Sequence, residues 1–224
     1  MKTILCFGDS NTYGYRPDTG ERYSEDTRWT GILREKLKDR KIEVIEEGLV
    51  GRTTVFEDSI RPGRKGIDYL VPLLETHAPV DELILMLGTN DCKSIYKASP
   101  EVIGLGIERL IKGARAFNPK LEILLISPIY LGDDVWKEEY DPEFDQESVQ
   151  TSKKLKDIYK KMAKKYDCQF LAASDVAAPS IVDQEHLNEE GHRALANAVL
   201  QKIIEQQIEK IISNEISISS DNLK

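Results

Sequence analysis

Three short runs of this chain contain only apolar residues, and they constrain its fold more than any other feature. They span residues 4–7, 83–87 and 123–126. A strand with one wet face alternates apolar and polar residues, whereas a strand buried on both faces reads as a continuous apolar run. Each run therefore predicts a β-strand that is covered on both sides, as in the parallel sheets of α/β proteins.

Longer segments with helical periodicity lie between the predicted strands, which span residues 3–7, 42–46, 82–87, 122–126 and 169–171. Apolar residues recur every three to four positions from Trp29, from Ile103 and from Leu155, and a last helix is predicted over 189–212. This alternation favours right-handed crossovers and a sheet with helices on both faces. We therefore expect one three-layer α/β/α domain over 1–212, with about five parallel strands, followed by a polar tail over 213–224.

Charge and cysteine content narrow the possible partners. The net charge of −8 argues against nucleic acid, and no apolar stretch is long enough to predict a membrane span. The three cysteines, Cys6, Cys92 and Cys168, show neither the pairing of a disulfide scaffold nor the spacing of a zinc site. We expect a cytoplasmic protein without metal or cofactor that acts on a small molecule or a neutral polymer.

Residues capable of nucleophilic catalysis follow the first and last predicted strands. Ser10 stands in a Gly-Asp-Ser turn after the first strand, where its hydroxyl could act as a nucleophile or cap a helix. His186 follows the last strand, and Asp183 could orient its imidazole ring, although an Asp-x-x-His spacing is unspecific by itself. His77 precedes a strand, at the opposite end of the sheet, and is predicted to be structural.

Two more strand ends carry groups that could stabilise a developing oxyanion. Gly48 offers an unobstructed backbone amide after the second strand, and Asn90 offers a side-chain amide after the third, although either could merely shape a turn. The segment 132–147 holds eight acidic residues and one lysine. It is interpreted as an excursion at the same edge of the sheet, where binding sites of this architecture lie, or as a solvated loop.

The combined order of these strand ends resembles the four sequence blocks of the SGNH, or GDSL-type, hydrolases. The blocks are Phe-Gly-Asp-Ser, a glycine after the second strand, Gly-Thr-Asn-Asp and Asp-x-x-His, within residues 4–200. The resemblance implies a flavodoxin-like fold and ester hydrolysis through an acyl-enzyme. It makes Ser10 the nucleophile, His186 the base and Asp183 the residue that orients it. The implied oxyanion hole consists of the Ser10 and Gly48 amides and the Asn90 side chain.

Further segments are similar to the bacterial arylesterase/acyltransferase (perhydrolase) branch of that family, namely 11–15, 28–31, 44–49 with 52–54, and 86–91. This similarity implies short-chain esters as substrates, acyl transfer to alcohols or peroxide as a side activity, and a homo-oligomer. Asn11 and the acidic segment depart from the pattern.

The substrate pocket is predicted to be walled by Tyr13, Tyr15 and Trp29, unless these aromatic residues belong to the core. The alternative activity is that of a carbohydrate O-acetylesterase, with a lysophospholipase or thioesterase ranked below it. A non-enzymatic alternative is a flavodoxin-like binding module that holds an anion at the Gly-Asp-Ser turn, but no phosphate-binding glycine motif supports it.

Overall fold

Five parallel strands form a single sheet in the computed structural model, which describes residues 2–221, with the backbone alone at residue 210 and at 213–221. The strands are β1 (Lys2–Gly8), β2 (Ile42–Gly48), β3 (Glu82–Met86), β4 (Glu122–Ser127) and β5 (Gln169–Ala172). Their order across the sheet is β2-β1-β3-β4-β5, and every neighbouring pair is parallel. The predicted fold class is confirmed, and each strand agrees with its prediction to within two residues.

Within the described residues, six α-helices connect or follow the strands. They are α1 (Ser10–Tyr13), α2 (Trp29–Leu37), α3 (Leu70–Thr76), α4 (Pro100–Phe117), α5 (Gln146–Lys165) and α6 (Glu189–Asp221). The predicted end of the last helix at residue 212 is wrong, because α6 continues to Asp221 through a polar stretch that contains neither glycine nor proline to end it. Residues 222–224 of the predicted tail lie outside the described residues.

Successive side chains of each central strand enter opposite layers of the molecule. In β1, Leu5 and Phe7 pack with apolar residues of α3, α4 and α5, whereas Ile4 and Cys6 pack with those of α2 and α6. These side chains are all fully buried. The continuous apolar runs of the sequence therefore arise because both faces of the sheet are covered. No helix within the described residues is both long and apolar enough to cross a bilayer.

The sheet order creates a crevice at the carboxyl ends of β1 and β3. The chain first adds β2 on one side of β1 and then returns to add β3 on the other side. The connections that leave β1 and β3 consequently diverge to opposite sides, which is the arrangement that opens a binding crevice in α/β sheets. Ser10 and Asn90 follow these two strands, so both residues lie at this crevice.

Candidate active site

The turn after β1 presents the hydroxyl of Ser10 without using it for capping. Asp9 is the N-cap of α1, and its Oδ1 atom accepts a hydrogen bond of 3.0 Å from the backbone amide of Asn11. Burial raises the pKa of Asp9 to about 7. Because Asp9 satisfies the helix terminus, Ser10 is left as the first helical residue with its Oγ atom available. The alternative in which Ser10 caps a helix is therefore wrong.

His186 connects Ser10 to Asp183 across 176 residues of sequence. The Nε2 atom of His186 lies 2.8 Å from Ser10 Oγ, and its Nδ1 atom lies 2.7 Å from Asp183 Oδ2. The other carboxylate oxygen of Asp183 accepts the His186 backbone amide at 3.0 Å, so the loop also holds the carboxylate in place. The three side chains thus form one continuous hydrogen-bonded chain.

The electrostatics of the site determine which imidazole nitrogen carries the proton. Burial would raise the pKa of Asp183, but its hydrogen bond with His186 and the nearby imidazole lower that pKa below the ordinary aspartate value. An ionised carboxylate only accepts hydrogen bonds, so Nδ1–H of His186 donates to it. Nε2 is then left to accept the hydroxyl proton of Ser10, and the arrangement can pass that proton from serine to histidine.

The charges around His186 favour its protonated form. Burial alone would lower the pKa of this imidazole, but the carboxylates of Glu185 and Asp183 raise it above the ordinary histidine value. The Oε1 atom of Glu185 lies 3.8 Å from Nε2. The ring of Tyr15 lies against the imidazole with 4.3 Å between the ring centroids. An imidazolium formed during a reaction would therefore be stabilised by the carboxylate of Glu185 and by the ring of Tyr15.

Asn90 extends its side chain into the same cavity and is held there by one hydrogen bond. Its Nδ2 atom donates to the backbone carbonyl of Arg52 at 3.2 Å. An amide nitrogen carries two hydrogens, so this bond fixes the orientation of the side chain and leaves a second donor. The Asn90 side chain and Ser10 both line the cavity.

Gly51, and not Gly48, is the glycine of the β2 connection that lines this cavity. It adopts the left-handed conformation at φ 80°, which favours glycine. Its amide donates to no group among the described residues, and the same holds for the amide of Ser10.

Gly48 is required for a different, steric reason, which corrects the sequence-based prediction. A Cβ atom at Gly48 would lie 2.1 Å from the backbone nitrogen of Tyr13, so the glycine permits close packing of α1. Its amide points away from β1, because the next amide, of Leu49, donates to Gly8 of β1 and successive amides of a strand alternate in direction. Gly48 is the first glycine after β2 and is therefore the residue that the sequence predicts. The glycine that lines the cavity is Gly51, in the turn that follows.

Only one of the three predicted pocket aromatics lines the cavity, which has a volume of about 430 Å³. Tyr15 lies there, against His186. Trp29 is fully buried in the layer between the sheet and α2 and α6, and its Nε1 donates to the carbonyl of Asn11 at 3.0 Å. The ring of Tyr13 packs under the guanidinium of Arg22 at 4.7 Å. The predicted pocket roles of Tyr13 and Trp29 are therefore corrected to structural ones.

The acidic segment 132–147 forms one wall of the cavity, so its interpretation as an excursion at the binding edge is the correct one. Glu139, Tyr140, Asp141 and Glu143 of this segment line the cavity. Glu143 accepts a hydrogen bond from the buried Lys93, which anchors the segment to the connection after β3. The charge pattern of the sequence does not predict this contact, because the two residues are 50 positions apart in the chain.

Two buried charged residues support the loops around the site. Arg52 donates to the carbonyl of Gly8 at 2.9 Å and lies over the ring of Phe7 at 4.2 Å. Asp91 accepts the backbone amide of Thr54 at 3.0 Å, and burial raises its pKa to about 6. These contacts join the connections that follow β1, β2 and β3. Among the described residues, no group of three or more His, Cys, Asp or Glu side chains could hold a metal ion.

Two solved structures of proteins named as esterases resemble this chain over nearly their whole length. A carbohydrate acetylesterase from Sinorhizobium meliloti is 32% identical with a TM-score of 0.85, and the match covers 92% of this chain and 100% of that one. The aryl esterase of M. smegmatis is 33% identical with a TM-score of 0.83, over 92% of this chain and 99% of that one. No curated protein sequence matches the chain.

A more distant structure shares the fold alone. This member of the lipolytic G-D-S-L family from Veillonella parvula is 17% identical with a TM-score of 0.67, over 90% of this chain and 97% of that one. The sequence profile of the GDSL-like lipase/acylhydrolase family matches residues 6–194, which include Ser10, Asn90, Asp183 and His186. The chain therefore belongs to the GDSL-like lipase/acylhydrolase family.

Proposed function

We propose that this protein hydrolyses small carboxylic esters through an acyl-enzyme formed on Ser10. The observation that carries the proposal is the continuous chain of hydrogen bonds from Asp183 through His186 to Ser10, with distances of 2.7 and 2.8 Å. His186 takes the hydroxyl proton as Ser10 attacks the ester carbonyl, and then gives that proton to the departing alcohol. A water molecule activated by His186 releases the acid.

The oxyanion of the tetrahedral intermediate is proposed to bind three donors. They are the amides of Ser10 and Gly51 and the second hydrogen of Asn90 Nδ2, all of which belong to residues that line the cavity. None of these donors is used by another described group. Donors fixed in advance stabilise the transition state because they need no reorganisation when charge develops.

Acyl transfer to alcohols or peroxide is proposed as a side activity, since any nucleophile that reaches the acyl-enzyme can replace water. A cytoplasmic location is proposed because all three cysteines are free thiols. A homo-oligomer stays a prediction from the resemblance to the arylesterase branch.

A carbohydrate O-acetylesterase is the second candidate, and the polar lining of the cavity favours it. Charged or hydroxyl-bearing side chains form most of the wall, including Arg61, Lys93 and Glu143. Such groups exchange hydrogen bonds with sugar hydroxyls better than with an aryl ring. We expect kcat/KM for an acetylated xyloside to exceed that for phenyl acetate. A higher kcat/KM for the aryl ester would favour the arylesterase assignment instead.

Removal of the nucleophile tests the proposal most directly. Ser10→Ala is expected to abolish hydrolysis of p-nitrophenyl acetate, because it removes the hydroxyl that His186 would deprotonate. A fluorophosphonate probe should label the wild-type protein and not the variant, which intact-mass spectrometry would detect. Labelling of Ser10→Ala, or activity near wild type, would refute the serine-hydrolase mechanism.

Truncation of one oxyanion donor tests the role of Asn90. Asn90→Ala is expected to lower kcat by about 10²–10³, because one preorganised donor is lost at the charged transition state. Steady-state kinetics with p-nitrophenyl acetate measure the effect, and a thermal melt verifies folding. Asn188→Ala is a matched control, since Asn188 caps a turn of α6 outside the cavity. Full activity of the Asn90 variant would show that its side chain does not contact the oxyanion.

Asp183 is proposed to orient His186 and to raise its pKa. Asp183→Asn is expected to reduce kcat by up to roughly 10⁴, because a neutral amide lacks the negative charge that stabilises the imidazolium and can also present its NH₂ group to Nδ1, which favours the wrong tautomer. His186 must be neutral to act as a base, so activity rises with pH through its pKa. Loss of the Asp183 charge should therefore move the acid limb of the kcat/KM profile to lower pH. An unshifted limb would mean that Asp183 does not act on the imidazole.

A further inference from the structure

The cavity beside Ser10 carries a negative formal charge. Five carboxylates and two cationic side chains line it, so its formal charge is −3 when His186 is neutral. The two cations are already engaged, because Lys93 bonds to Glu143 and Arg61 lies 3.5 Å from the same carboxylate. The remaining carboxylates belong to Glu139, Asp141, Asp183 and Glu185.

Glu185 differs from the other acids because its carboxylate is buried and accepts no hydrogen bond from any described residue. The residue is 6% exposed and lines the cavity. Among the described residues, no donor lies within hydrogen-bond distance of its carboxylate, and the nearest basic atom is His186 Nε2 at 3.8 Å. A buried carboxylate that accepts no hydrogen bond is costly. Its position at the cavity wall therefore points to a ligand group as the missing partner.

Geometry places Glu185 against the alcohol part of an ester rather than the acyl part. His186 Nε2 must come within about 3 Å of the leaving oxygen to protonate it. Glu185 Oε1 lies only 3.8 Å from that nitrogen. Substituents on the first carbons of the alcohol therefore come close to the carboxylate, so the alcohol is the part of the ester on which Glu185 can act.

We propose that this site selects esters whose alcohol carries a cationic nitrogen, an amine or quaternary ammonium, joined to the ester oxygen by a short spacer. Glu185 pairs with the nitrogen, and the aromatic ring of Tyr15 beside His186 offers a second favourable contact for a cation. The acidic segment contributes Asp141 to the same wall. This inference rests on the proposed ester hydrolysis and names the class of alcohol that the site prefers.

The test compares two esters that differ only in charge: acetylcholine and its carbon isostere, in which a tert-butyl group replaces the trimethylammonium group. We expect kcat/KM to favour acetylcholine by about tenfold or more, because the trimethylammonium group, which has no N–H, is attracted to the carboxylate by its charge alone. The preference should fall as salt is added, because ions screen the attraction. In Glu185→Gln the ratio of the two values should approach one. The ratio removes any effect that the substitution has on steps common to both esters.

Glu138→Gln is the matched control, because it removes one exposed carboxylate of the same acidic segment that does not line the cavity. Its ratio should equal that of the wild type. Inhibition of p-nitrophenyl acetate hydrolysis by choline, compared with its tert-butyl isostere, gives a second measurement that needs no turnover of either acetate.

Equal kcat/KM values for the two esters in the wild type would overturn the selectivity, and so would equal inhibition by the two alcohols. A kcat/KM ratio that Glu185→Gln leaves unchanged would overturn the role of Glu185. Continued hydrolysis of p-nitrophenyl acetate in those cases would leave the proposed esterase activity intact. Failure of the wild type to hydrolyse any ester would instead overturn the proposed function itself.

Discussion

The hydrogen bond between Ser10 and His186 depends on the parallel order of the sheet. Ser10 follows the carboxyl end of β1, and His186 lies in the loop after β5, near the other end of the chain. Parallel strands align their carboxyl ends at one rim, so segments 176 residues apart meet without any local sequence signal. The apolar residues that cover both faces of the sheet therefore support the geometry of the site as much as the stability of the fold.

Neighbouring residues make the structural hydrogen bonds around the site, so the side-chain atoms of Ser10, Asn90 and His186 that face the cavity are not used for them. Asp9 caps α1, so the Ser10 hydroxyl does not. Arg52 uses its carbonyl to orient Asn90 and its guanidinium to hold the end of β1. Asp183 accepts both an imidazole nitrogen and a backbone amide of His186. Each polar group that could take part in acyl transfer is thus held by a partner that does not compete for its reactive atom.

The cavity wall and the hydrogen-bonded side chains come from different parts of the chain. Ser10, Asn90 and His186 come from the ends of β1 and β3 and from the loop after β5, whereas the outer wall comes from segment 132–147. That wall is tied to the core through Lys93 and Glu143. Because the wall belongs to a separate connection, substitutions in the acidic segment can change the cavity lining without disturbing the hydrogen-bonded chain from Asp183 to Ser10.

The sequence alone determined the layered fold, the strand limits, the family resemblance and the positions of Ser10, Asn90, Asp183 and His186, because local periodicity and short motifs encode them. Only the tertiary structure decided which glycine lines the cavity. Gly48 and Gly51 look alike in sequence, but packing against Tyr13 occupies one and the turn exposes the other. Tertiary packing also buried Trp29 and turned Glu185 toward His186. Such contacts join distant segments, so no periodicity or motif along the chain reports them.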